Sequence, residues 1–219
     1  MEDLARRRRP RRYESDKVKR EYAVLAGFDP STRVITDDGP TPLEWLNEGD
    51  RVMTHGGGFE PVLWIDRTRL QMGKLRSIPE LAPVLIEAGA LGDNRPERAI
   101  VVSPSQLMYL PRDPRRPNGE GALVPASAIG TRIDPSSRPA KEVVTYVSVL
   151  LPAHHLISVD GVVAGSLFLA DLALSFDAED PVLKALKDNV MEPVVPIISR
   201  QDVPWFLQSR AMKAAGLTA

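Results

Sequence analysis

Short runs of apolar residues, many alternating with polar ones and separated by clusters of Gly, Pro, Asp and Asn, recur along most of the chain and predict an all-β fold. The stretch from Tyr22 to Ile65 sets the pattern. It predicts a strand at Arg33 to Thr36, a turn at Asp37-Asp38-Gly39-Pro40, an amphipathic helical turn at Pro42 to Leu46, and strands at Arg51 to Thr54 and Pro61 to Ile65. His55-Gly56-Gly57-Gly58 is read as a hairpin turn, because a strand start at Phe59 follows it and not the helix that a phosphate loop needs. From Thr68 to Glu80 the chain reads as basic and irregular. Further strands are expected at Ala82 to Glu87, Ala99 to Val102 and Leu123 to Ala126, with an exposed loop at Arg112 to Gly121. Lys141 to Leu151 is the strongest strand signal, rich in β-branched residues. His155 to Val159, the turn Asp160-Gly161 and Val162-Val163 read as a closing hairpin.

Beyond Gly165 the period changes. Ser166 to Ala173, Asp180 to Met191 and Trp205 to Ala215 are predicted helical, and Asp180-Pro181 reads as a helix start. Pro193 to Ile198 reads as extended. The stretch from Val194 to Leu207, with Trp205 and Phe206, either packs on the domain or offers an apolar surface to a partner. The expected organisation is a basic arm at 1–21, a β domain at 22–169 and a helical and extended tail at 170–219.

Composition narrows the functional classes. The 28 Lys and Arg against 29 Asp and Glu leave a net charge of −1, so the whole molecule has no field that gathers nucleic acid or membrane. Charge is concentrated instead in the arm, at Arg6, Arg7, Arg8, Arg9, Arg11 and Arg12. That arm reads as a solvated tail or as a binding segment for an acidic protein surface, a nucleic acid or an anionic membrane. The absence of cysteine removes disulfides, thiolate metal sites and thiol catalysis. The 3 histidines have no carboxylate or thiol neighbours at ligand spacing, so neither a metal nor a cofactor is expected. No apolar run is long enough to span a bilayer and no signal-peptide core follows the arginines, which makes a cytoplasmic protein the default.

Three blocks carry a resemblance. F-D-P-S-T-R-V-I-T, D-G-P-T-P-L-E-W-L, G-D-R-V-M-T and G-G-G-F-E-P-V-L-W-I make up the first, V-V-S-P-S-Q-L-M-Y-L at Val101 to Leu110 the second, and Y-V-S-V-L-L-P-A-H-H-L-I-S-V-D at Tyr146 to Asp160 the third. In this order they resemble the Hint (Hedgehog/intein) family, most closely its bacterial free-standing Hedgehog/intein-type group. The resemblance implies a Hint-like β fold and self-cleavage through an acyl shift. A side-chain nucleophile would attack the preceding carbonyl, and a histidine would protonate the leaving nitrogen.

Carried onto this chain, the nucleophile position is Gly27, the block histidine is Gln106, and the late histidine is His154, with His155 beside it. Glycine has no nucleophile, and an amide does not exchange a proton near neutral pH. The resemblance makes Ala26-Gly27 the peptide that an active member would cut. Expected here is a catalytically inactive domain serving as a binding or structural module, with protein partners met by the arm and the C-terminal extension. Two alternatives stand beside it. One is residual self-cleavage through Ser31, Thr32 or Ser103 with His154 as base, and the other is nucleic-acid or membrane binding through the arm. On an intact scaffold, Gly27→Cys with Gln106→His is expected to regain thiol-induced cleavage.

Overall fold

The computed structural model describes residues 25–92, 94–111, 121–167, 191–198 and 202–203. The first block folds largely as its pattern predicts. Strand β1 (Arg33–Thr36) turns at Asp37-Asp38 directly into β2 (Gly39–Pro42), with Thr36 opposite Gly39, so half of the expected four-residue turn is strand. A 3₁₀ turn at Leu43–Trp45 buries Leu43 and leaves Trp45 on the surface. Then β3 (Arg51–Met53) and β4 (Phe59–Pro61) close around the glycine turn, where Gly57 has φ 87°.

The expected strand Pro61 to Ile65 is broken in two, and the first four residues of the stretch expected to be irregular, Thr68 to Gln71, are strand. Pairing with β3 ends as the Val62 N–H donates to Asp50 (2.8 Å), and Leu63 N–H donates instead to Leu150 (2.9 Å). The chain changes sheets between these residues. It then continues as β5 (Trp64–Gln71), followed by the short helix α1 (Met72–Leu75). The sequence W-I-D-R-T-R-L-Q shows no apolar alternation. Its extended form comes from pairing over its whole length with a distant partner, β11 (Val143–Leu150), from Trp64 opposite Leu150 to Gln71 opposite Val143.

The remaining strands are β6 (Val84–Ile86), β7 (Ile100–Val102), β8 (Leu107–Leu110), β9 (Ala122–Pro125), β10 (Thr131–Arg132), β12 (Leu156–Val159) and β13 (Val162–Gly165). The largest sheet runs β4-β3-β1-β12-β13-β8-β9, with β2 on β1. A second has the order β10-β6-β7, and β5 and β11 form a two-stranded ribbon. The β12–β13 hairpin turns at Asp160 (φ 42°) and Gly161 (φ 78°), positive at both centres as a tight twisted hairpin requires.

One core joins the sheets, with Val34, Val52, Val84, Met108, Leu110, Val124, Leu151 and Val159 fully buried. A second, smaller cluster gathers Leu25, Leu70, Met72, Leu75, Ile78, Leu81 and Tyr146. Tyr146 donates its hydroxyl hydrogen to Leu81 O at 3.2 Å, which satisfies its one polar atom inside that cluster. Ser166 and Leu167, expected to open a helix, are not helical. The Pro193–Ile198 stretch is extended at its end and lies along β9: Leu123 N–H donates to Pro196 O (2.9 Å) and Ile198 N–H to Leu123 O (2.8 Å). It therefore both packs and faces outward, burying Ile198 while Val194 and Ile197 stay 50% and 40% exposed. The arm arginines, Trp205, Phe206, residues 112–120 of the expected loop, 168–173 and 180–190 of two expected helices and the helix expected at 205–215 lie outside the described residues, and Met191 is not helical.

Candidate functional site

Residues Gly27 to Asp29 run between β7 and β11 and stitch them together. Phe28 exchanges both backbone bonds with Val147 (3.0 and 2.9 Å), Asp29 N–H donates to Val101 O (3.0 Å), and Ser103 N–H donates to Gly27 O (2.8 Å). The peptide just before this stitch, Ala26–Gly27, is held by side chains on both its polar groups. Its N–H donates to Gln106 Oε1 at 2.9 Å, and its carbonyl accepts from Ser148 Oγ at 2.6 Å. Since the Gly27 N–H can only donate, the atom it meets must be the amide oxygen of Gln106. The Nε2 of Gln106 then donates to Gly165 O (2.9 Å) and Leu107 O (3.1 Å). This buried amide has partners for its oxygen and for its nitrogen.

The two side-chain bonds on Ala26–Gly27 act in the same chemical direction. A donor on the carbonyl oxygen and an acceptor on the N–H both favour the dipolar resonance form of the amide, which stiffens the C–N bond. Cleavage needs an attacking atom on the carbonyl carbon, which the Ser148 donor on the oxygen would assist, and a proton delivered to nitrogen, which this arrangement does not supply. Gln106 presents an oxygen lone pair to that nitrogen, so the arrangement stabilises the uncut peptide.

Space and backbone geometry both disfavour a side chain at Gly27. Its φ is 141°, in the region that favours glycine. A Cβ built there would stand 3.0 Å from Ser148 Oγ, 3.0 Å from the Cβ of Tyr146 and 3.1 Å from Val147 O. Two of these neighbours belong to the β11 backbone or its first side-chain atom and cannot swing aside. Gly27→Cys with Gln106→His, expected to regain cleavage on an intact scaffold, therefore meets a steric and a backbone cost on this geometry. The position lacks a nucleophile, and β11 would have to give by a few tenths of an ångström to admit one.

His154 lies in the loop that enters β12 and is buried, while its neighbour His155 is half exposed. Its Nδ1 accepts the Val194 N–H at 3.2 Å, and its ring occupies the space beside Gly165, where a Cβ would be 2.8 Å from Nε2. Gly165 thus stands between Gln106, which donates to its carbonyl, and the imidazole. Burial, with the charge of His155 adding to it, lowers the His154 pKa to about 4, so the ring is neutral at neutral pH.

The other hydroxyls considered as nucleophiles are spread out. Ser31 is exposed and donates to Asp29 Oδ1 (2.6 Å). Thr32 is buried, its backbone tied to Asp29 O and to Leu43 N–H (both 2.9 Å). Ser103 touches the site through its N–H, and its buried Oγ has no hydrogen-bond partner among the described residues. His55, read as a turn residue, sits in the β3–β4 turn with its ring centroid 5.9 Å from that of Tyr109. Reading the sequence for nucleophiles passed over Ser148. Its signal is the one aliphatic hydroxyl in the buried half of the strand, Y-V-S-V-L.

The sequence profile of the Hint domain matches residues 26–171, a stretch that opens at Ala26 itself. The chain belongs to the Hint domain family. Solved structures similar to this Hint domain include the gp41-1 intein, with 15% identity over 64% of this chain and 98% of that one, TM-score 0.39. Another is a bacterial intein-like domain from Clostridium thermocellum, with 14% identity over 65% of this chain and 99% of that one, TM-score 0.40. No curated protein matches the chain. Among the described residues of this Hint domain, no helix is long and apolar enough to cross a membrane.

Proposed function

We propose that this Hint domain holds the Ala26–Gly27 peptide without cutting it, and serves as a binding or structural module to which the basic arm stays joined. The observation that carries this reading is the crowded backbone at Gly27, where φ is 141° and a Cβ would stand 3.0–3.1 Å from Ser148 Oγ, Tyr146 Cβ and Val147 O of β11. Gln106 adds to it by offering an acceptor where cleavage needs a proton donor. The arm from Arg6 to Arg12 and the tail with Trp205 and Phe206 are the contact surfaces in this reading, with a protein partner or an assembly as the target.

Intact mass tests it. A chain tagged at both ends, incubated with and without thiol and hydroxylamine, is expected to keep its full mass. A fragment starting at Gly27 would replace this reading with self-cleavage. Ser148 and Ser103 would then be the hydroxyls to substitute first.

A further inference from the structure

A cavity of about 410 Å³ opens on the face beside the start of β11, a volume in the range of small-ligand sites. Its apolar wall includes Met72, Ile133 and Val144, and its rim carries Asp29, Glu44 and Glu142 with one cation, Arg138. Arg138 is committed to Glu142 (3.3 Å), while Asp29 and Glu44 meet no cation among the described residues. The combination of apolar wall and acidic rim suits a side chain with an aliphatic stem and a cationic head. An arginine has both, and its planar fork matches a carboxylate.

The chain itself carries arginines within reach of this place. Leu25 is buried in the same cluster as Met72, one of the cavity's lining residues. Arg12 is thirteen positions before Leu25. Thirteen residues span at most about 45 Å when fully extended, so Arg12 can reach the cavity, and short tethers give effective concentrations on the order of millimolar. Exposed ion pairs contribute little singly, but six arginines at Arg6 to Arg12 compete for one seat whose Asp29 and Glu44 meet no cation among the described residues.

We propose that this cavity is the seat of the chain's own arginine-rich arm, a guanidinium between Arg6 and Arg12 lying against Asp29 and Glu44 with its stem on Met72, Ile133 and Val144. Docked there, the arm is withheld from an acidic partner until that partner outcompetes the cavity. The contact is electrostatic at its rim and weakens with salt.

The absence of cysteine makes the test direct, because Ser15→Cys gives a single labelling site in the arm of the full chain. With a nitroxide at that site, the amide signals of Glu44 and Thr145 are expected to lose most of their intensity at low salt. They should recover in high salt, and also in the exposed-surface variant Glu44→Gln. A second chain with Arg6 to Arg12 replaced by Gln should show no loss at all. Intact signals at Glu44 and Thr145 in low salt would overturn the proposal, as would losses that Glu44→Gln leaves unchanged. Losses seen only when labelled and isotope-enriched chains are separate molecules would overturn it too, assigning the seat to a second copy. The intact mass of the same sample reports cleavage at Ala26–Gly27 separately.

Discussion

Gly27 N–H and Gln106 Oε1 meet at 2.9 Å across a sequence separation of 79 residues, and this contact ties the entrance of the domain to β8 and, through Gly165, to β13. Replacing Gln106 by Leu keeps the bulk but strands the Gly27 N–H and removes a donor from Gly165 O. The expected loss is roughly 1–3 kcal/mol for the stranded N–H alone. Gln106→Glu can still accept from Gly27 but cannot donate to Gly165, and it carries a charge into a buried site, so it should be the worse of the two. Urea unfolding of both variants checks the order.

Gly27→Ala is expected to destabilise by about 2 kcal/mol or more, because the substitution combines an unfavourable φ with contacts of 3.0 Å. Gly27→Cys with Gln106→His should carry the same penalty and show no thiol-dependent cleavage while folded. Adding Ser148→Ala removes one of the three close atoms, Ser148 Oγ, so the triple variant should recover part of the loss. Thermal melts together with intact mass separate the two readouts. Efficient cleavage in the double variant would show that the Gly27 backbone can reopen, and would remove the main support for an uncut domain.

The elements legible in the sequence were those whose local pattern and tertiary role agree. Asp160-Gly161 has the residues for a turn with two positive φ values, and β11 has β-branched residues on a strand buried over most of its length. β5 was illegible because Asp66, Arg67 and Arg69 break its alternation, and because its strand form depends on β11, about eighty positions away. In the site, family position found Gly27, Gln106 and His154, but residue type alone could not say that Gln106 would serve as acceptor and donor at once. Nor could it reveal the missing space at Gly27, which depends on how closely β11 approaches.

The stretch along β9 offers a separate test. Ile198 is 8% exposed and its N–H donates to Leu123 O, so it covers what would otherwise be the last strand edge of the large sheet. Ile198→Ala should cost roughly 2 kcal/mol through the cavity it leaves. Faster hydrogen exchange at the Leu123 amide, which donates to Pro196 O, is expected to accompany it. Unchanged exchange at Leu123 would mean that the stretch is held without the Ile198 side chain.

Acid should act on the domain through His154. The unfolded chain takes up a proton on this ring near its ordinary value of 6.5, whereas the folded chain does so only near 4, because burial disfavours the cation and His155 adds to the effect. The group's contribution to stability is therefore complete above about pH 6.5 and is lost as pH falls from there towards 4. Protonation also turns Nδ1 from an acceptor into a donor facing the Val194 N–H, so the stretch it holds should loosen in the same range. His154→Gln, which keeps a neutral acceptor, is expected to flatten the pH dependence between 6.5 and 4 while leaving the carboxylate contribution in place. Urea midpoints measured for both chains across that interval decide it: parallel curves would place the acid sensitivity in other groups, and a gap that widens as pH rises towards 6.5 would place it in His154.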